Sequence, residues 1–250
     1  METIFLPSKM HIAAGDAPNM ATLTIEPLHH GYGTTVGNAL RRVLLSSLPG
    51  AAVTAVKIKG VQHEFQAVTG VKEDVLDIIL ALKQLRMKVH ADEAVTLKLT
   101  KKGEGPVTAA DIEKNADVEI ANPDLVLATI TTASTTLDME ITVSRGRGFL
   151  PTEEREDTSS DIGVMAIDAL FSPVRQVSLK VENTRVGDIT NYDKLIMNIE
   201  TDGTLAPSDA LEQATKILIN HFTWMQGQLS HASLTEQIVR AKEEAPKNDE

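Results

Sequence analysis

Apolar residues alternate with polar ones in some stretches of the chain and recur every three or four positions in others, and these two periods separate strands from helices. Ala21 to Ile25 reads A-T-L-T-I, a strand with Leu23 and Ile25 turned one way. Glu26-Pro27 is expected to end it, because proline removes a donor and restricts the residue before it. Gly31-Tyr32-Gly33 leads to Thr34-Thr35, where either hydroxyl suits a helix cap. From there Val36, Leu40, Val43, Leu44 and Ser47 keep helical spacing until Pro49-Gly50, which predicts a helix over 34–48.

Period two returns over Ala52 to Ile58, with Val56 and Ile58 on one face, Val53 out of step and a turn at Gly60. Val75, Ile78, Ile79, Leu82 and Leu85 predict an amphipathic helix that leaves Lys72, Asp77 and Lys83 to water. Strands follow at Val95 to Leu99, Asp117 to Ile120, Leu125 to Thr131 and Leu137 to Val143. The last alternates cleanly, as a sheet with one solvated face requires. Arg145-Gly146-Arg147-Gly148 and the charged stretch Thr152 to Asp161 read as an excursion from that sheet. Val164 to Leu170 then resumes an apolar pattern before the turn-prone Ser172-Pro173.

Gln176 to Glu182 and Lys194 to Ile199 alternate again, with Arg185 to Asp193 as their connection. Pro207-Ser208-Asp209 precedes the longest helical pattern, where Asp209 and Glu212 have capping-box spacing. Its stripe of Leu211, Ala214, Leu218, His221, Phe222, Met225 and Leu229 covers about six turns, longer than the usual three or four. A stripe of that length commonly meets a partner helix, in the same fold or in a second copy. Beyond it the sequence turns polar, and Glu243 to Glu250 reads as a tail.

Composition narrows the function. The 250 residues are 42% apolar, enough to fill a core, and the net charge of −11 opposes general attraction to nucleic acid. Cysteine is absent, which excludes disulfides, a thiolate nucleophile and cysteine-bound metal and fits a reducing cytoplasm. Sparse aromatics, five Phe, two Tyr and one Trp, offer few platforms for base stacking. The sequence has neither a basic leader followed by a long apolar run nor an apolar stretch of membrane-spanning length, so a cytoplasmic protein is expected.

The sequence contains no G-x-G-x-x-G, P-loop, H-E-x-x-H or G-x-S-x-G pattern. Gly31, Gly33 and Gly37 crowd a helix start, which suits either an anion or a tight turn with close helix packing. His29, His30, His63 and His90 lack a compact ligand spacing. Asp74 and Asp77, and Glu153, Glu154, Glu156 and Asp157, are explained as well by solvation as by acid/base work. His221 falls on the apolar stripe of the long helix. Arg41 and Arg42 lie off the stripe of the first helix, where their guanidinium groups suit directional pairing with a partner or ordinary solvation. Arg145 and Arg147, alternating with glycine, suit a protein-docking loop, an RNA or phosphate contact, or an ordinary exposed turn.

Several long segments then resemble one family. G-x-x-x-G-N-A-L-R-R-V-L-L-S-S-L-P-G from Gly33, G-P-V-T-A-A-D-I from Gly105, R-G-R-G-F-L-P from Arg145 and Y-D-K-L-I-M-N-I-E-T-D-G-T from Tyr192 resemble, in order, the alpha subunit of bacterial DNA-directed RNA polymerase. The resemblance covers about Glu26 to Leu229. It implies an α+β fold: a discontinuous dimerisation domain from 1–49 and 174–230, an inserted mixed α/β domain at 50–173, and a flexible tail at 231–250. It implies a non-catalytic subunit without cofactor or metal, whose partners are a second alpha chain and the beta and beta-prime subunits, with DNA reached only indirectly and no membrane.

Residue by residue, the resemblance assigns large-subunit contact to Arg41, Arg42, Lys83, Ser172 and Pro173. The resemblance likewise implies that the apolar faces of the first and last helices form most of the homodimer interface, through Val36, Leu40, Val43, Leu44, Leu218, His221, Phe222 and Met225. Nucleic-acid binding through Arg145 and Arg147 stays the alternative. The family usually adds a small C-terminal domain that binds promoter DNA; the sequence ends after its tail, so that function is not expected of this chain.

Overall fold

The computed structural model describes residues 4–155 and 163–243, with side chains through 229. In chain order its elements are β1 (Lys9–Ala14), β2 (Met20–Leu28), α1 (Tyr32–Ser46), β3 (Pro49–Ile58), α2 (Val75–Leu82), β4 (Met87–Val89) and β5 (Val95–Lys102). They continue with β6 (Gly105–Thr108), β7 (Val118–Ile120), β8 (Val126–Ile130), β9 (Thr136–Arg147), β10 (Phe149–Leu150), β11 (Val164–Ala166) and β12 (Ala169–Leu170). A long hairpin of β13 (Val174–Val186) and β14 (Ile189–Thr201) precedes α3 (Pro207–Glu243).

The first sheet has the order β1-β2-β14-β13, antiparallel throughout. Its inward positions alternate as the sequence demands: Leu23 faces Met197 and Ile25 faces Leu195 across β2 and β14. Leu40, Leu44 and Leu48 close over them, with Ala210, Leu211 and Ala214 of α3, into one buried cluster. Alpha-helical spacing thus meets strand alternation in a single core.

Pro27 does not end β2. The strand runs to Leu28 by a bulge in which Glu26 and Pro27 oppose one residue of β14, so the missing N–H of proline breaks no ladder bond. Strand β1 carried no clear alternation and escapes sequence reading. The connection expected over Arg185 to Asp193 shortens to a turn at Gly187-Asp188, because both strands extend well past their apolar stretches.

Helix α1 begins at Tyr32 after Gly31, whose φ of 83° is left-handed, and no side chain caps it. The threonine cap expected at Thr34 or Thr35 is not used; Thr35 Oγ1 instead donates to the Gly31 carbonyl at 3.2 Å. Pro49-Gly50 stops the helix but directly opens β3, where proline as first residue is tolerated. In the long helix, Pro207 itself is the first helical residue, two positions ahead of the expected Asp209 cap. The helix also continues through 231–243, where a tail was expected; the last part of that tail, 244–250, lies outside the described residues.

A second sheet, β11-β3-β9-β5, lies over the other core with α2. Val56 and Ile58 of β3, Met139 and Ile141 of β9, Leu97 and Leu99 of β5, and Ile78 and Leu82 of α2 are all buried there. Asp138, Glu140 and Thr142 alternate away from that core, as one solvated face requires. Val53 is out of step because a bulge between Val53 and Ala55 puts Val53 and Val56 on the same buried face. Asp74 caps α2 by accepting the Asp77 N–H at 2.8 Å. Ladders of two to four residue pairs, β4 with β7, β6 with β8 and β10 with β12, complete this part.

Arg145-Gly146-Arg147 is strand, not loop: it closes β9 against Pro49, Gly50 and Ala51 of β3. The glycine pattern has a packing cause, since a Cβ on Gly146 would stand 2.6 Å from the Phe171 ring. The chain crosses between its two cores twice, at Leu48 to Gly50 and at Phe171 to Val174. The crossings touch, because a Cβ on Gly50 would overlap the Phe171 carbonyl.

Candidate functional site

Helix α1 turns Gly33, Gly37, Leu40 and Leu44 onto the β13–β14 hairpin and leaves Arg41 and Arg42 exposed on its other side. Val36 and Val43 are half-buried against the same core. Leu40 and Leu44, expected at a dimer interface, are buried within this chain, with Leu44 at 0% exposure.

The anion reading of the glycine-rich helix start meets a competitor in the chain itself. Asp193, buried at 5% exposure, accepts the Gly33 N–H at 2.9 Å, so the helix terminus already holds a carboxylate. His30 Nδ1 stands 3.8 Å from the same carboxylate. His29 and Tyr192 add an edge-to-face contact, and Phe5 meets Tyr192 at 5.0 Å between ring centres.

The stripe on α3 behaves differently along its length. Leu211 and Ala214 are buried and Leu218 is half-buried, whereas Phe222 is 62%, Met225 52% and Leu229 71% exposed. His221 is exposed beside them. Ile219 and Trp224 are also exposed and were not singled out in the sequence; an apolar residue next to the stripe, and the sole tryptophan at an uncovered helix position, were the available signals.

Lys83 is the C-cap residue of α2 and reaches Asp168 Oδ2 at 3.3 Å. The Thr152 N–H donates to the other oxygen of Asp168 at 3.1 Å. That backbone bond, ahead of the Lys83 contact, holds the Asp168 carboxyl below its ordinary range against the opposing effect of partial burial. Leu76 and Leu80 project from the same helix into solvent. Ser172 and Pro173 are buried at the second crossing, and the Ser172 hydroxyl donates to the Val174 carbonyl at 3.2 Å.

Arg145 pairs with Asp92 at 3.0 Å, and Arg147 lies opposite Pro49, the first residue of β3. Both border an open cleft of about 590 Å³ on the solvated face of the second sheet. Arg155 lines it too but donates to the Thr54 and Ile167 carbonyls. Among the described residues no group of three or more His, Asp or Glu is placed to hold a metal ion. Asp74 and Asp77 belong to the cap of α2, Glu153 and Glu154 are solvated, and Glu156 and Asp157 lie outside the described residues. No helix among the described residues is long and apolar enough to cross a membrane.

Comparison with known proteins turns these surfaces into a family. Residues 56–172 match the model of the RNA polymerase Rpb3/RpoA insert domain. The chain is 52% identical over 220 residues to the DNA-directed RNA polymerase subunit alpha of Desulforamulus reducens, covering 88% of this chain and 70% of that one. It is 49% identical over 221 residues to the subunit alpha of Alkaliphilus oremlandii, covering 88% and 69%. The chain belongs to the RNA polymerase alpha-subunit family. A further relative, the subunit alpha of Bacillus velezensis, is 46% identical over 233 residues, covering 93% of this chain and 74% of that one. The alpha-family match reaches both cores, since the span shared with these relatives is about twice that of the insert-domain match.

Proposed function

We propose that this chain pairs with a second copy of itself and that the pair is the platform on which the beta and beta-prime subunits of RNA polymerase assemble. As an alpha-family chain it is a non-catalytic subunit with an assembly and dimerisation role. The observation that carries the dimer reading is the part of α3 from Phe222 to Leu229, where Phe222, Met225 and Leu229 form an apolar face that the chain's own core does not cover. Each large apolar side chain of such a face contributes roughly 1.5–3 kcal/mol when fully covered. Phe222, Met225, Leu218 and His221 are the proposed dimer residues, with Ile219 and Trp224 added and Val36 and Val43 at the margin.

In this reading the first sheet with α1 and α3, residues 1–49 and 174–230, is a discontinuous dimerisation domain, and 50–173 is inserted into it. Separate cores and adjacent crossings support that division. Arg41 and Arg42 are the proposed large-subunit contact, because they are exposed, adjacent and resolved from the buried face of α1. Lys83 is a second contact on the inserted part. Ser172 and Pro173 act there by shaping the crossing rather than by direct touch. DNA is met only through the assembled enzyme, in the cytoplasm.

Mass determination of the purified chain, alone and with beta, tests the proposal. The expected masses are those of two chains alone and of two chains with one beta. A monomer at micromolar concentration that leaves beta free defeats it.

A further inference from the structure

Asp193 is a buried carboxylate for which dimerisation and large-subunit contact name no use. Its Oδ2 accepts the Gly33 N–H at 2.9 Å and its Oδ1 faces His30 Nδ1 at 3.8 Å. Gly33 lies in the first turn of α1, where amides have no partner inside the helix, and the N-cap Gly31 has no side chain to supply one. The carboxylate therefore supplies a directional acceptor at the positive end of the helix dipole.

Two glycines let the helix come close enough for that bond. A Cβ on Gly33 would stand 2.9 Å from Val181 Cγ1 and 3.0 Å from Asp193 Cβ, and one on Gly37 would stand 2.9 Å from Leu195 Cδ1. Close approach fixes the distance of α1 from β13 and β14. The Asp193 bond fixes what smooth glycine faces leave free, the position of the helix along and about its own axis. Successive residues differ by about 100° around a helix, so a slip of one position would swing Arg41 and Arg42 by more than a quarter turn.

We propose that Asp193 is a positioning residue for large-subunit assembly: it sets the rotation of α1 and through it the direction in which Arg41 and Arg42 face the partner. This rests on the reading of those arginines as the contact. The test compares Asp193→Ala, Asp193→Asn, Arg42→Ala and the double variant Asp193→Ala with Arg42→Ala. The readouts are binding of purified beta and hydrogen exchange at the Gly33 amide.

Arg42→Ala and Asp193→Ala are each expected to weaken beta binding about tenfold, the scale of one charge-assisted bond. Asp193→Asn keeps an acceptor and is expected to weaken it less, and it serves alone should the alanine variant not fold. Gly33 exchange accelerates in the same order. If Asp193 acts through the arginines, the double variant binds no worse than the single ones, whereas a general loss of structure adds to the Arg42 effect. Unchanged Gly33 exchange in an Asp193 variant, or additive losses, overturns the inference while the contact reading stands. Normal beta binding by Arg42→Ala overturns both.

Discussion

Helices α1 and α3 carry stripes of similar apolar residues, yet the chain finishes one and leaves the other open. On α1 the stripe ends in its own core: Leu44 is at 0% exposure, and Gly33 and Gly37 bring the backbone onto the hairpin. On α3 full burial stops after Ala214, Leu218 is half-buried, and Phe222, Met225 and Leu229 continue the same face into solvent. Periodicity reports that a face will be covered, but not by which chain. The difference separates residues that hold one copy together from residues available to join two.

The largest expected effect tests the closed helix. Leu44→Ala should cost about 2–5 kcal/mol of folding stability in urea titration, since it leaves a cavity under α1. A loss below 1 kcal/mol would mean that α1 is not seated as described. On the open helix, Phe222→Lys should weaken self-association about 100-fold, roughly 2.7 kcal/mol, by sedimentation equilibrium, with far-ultraviolet dichroism unchanged. An undiminished dimer would remove α3 from the interface.

Glycine substitutions sharpen the same contrast by sign. Gly37→Ala crowds Leu195 and is expected to cost about 1–3 kcal/mol, whereas Gly227→Ala meets no atom within 4 Å and should add about 0.5–1 kcal/mol of helix stability. Thermal unfolding of both variants reads the two signs; destabilisation by Gly227→Ala would indicate a partner packed on that residue.

The smallest effect lies outside both helices. Asp168 has a lowered pKa when folded, so its contribution is present above the ordinary carboxylate range and is lost as pH falls through the lowered value. Lys83→Ala should move its titration upward in NMR while the Thr152 bond keeps it depressed, with a stability change under about 1 kcal/mol because both side chains are partly exposed. A titration unaffected by Lys83→Ala would show that the pair does not persist in solution.

Much of the framework was legible in the sequence. Strict alternation located β9 and the inward faces of β13 and β14, and helical spacing located all three helices. Short or weakly patterned strands, β1, β4 and β6, were not legible, because their pairing depends on neighbours distant in the chain. Pro27, Pro49 and Gly146 were read as breaks from their local preferences. Each is accommodated by a long-range feature: a bulge opposite β14, the first place in a strand, and a seat for Phe171. For the candidate site, the exposed Arg41-Arg42 pair was visible from its place off the stripe, while Asp193 was not, since its partner Gly33 lies 160 positions away.

By itself, then, the sequence determined which residues share a face, because side-chain direction follows from the backbone period alone. It also carried the ordered motifs that resemble the alpha family. Only tertiary structure decided which faces close within one chain, because burial depends on what the fold brings opposite. That moved Leu40, Leu44, Ser172 and Pro173 inside, drew Arg145 and Arg147 into a strand, and left Arg41, Arg42, Phe222, Met225 and Leu229 exposed.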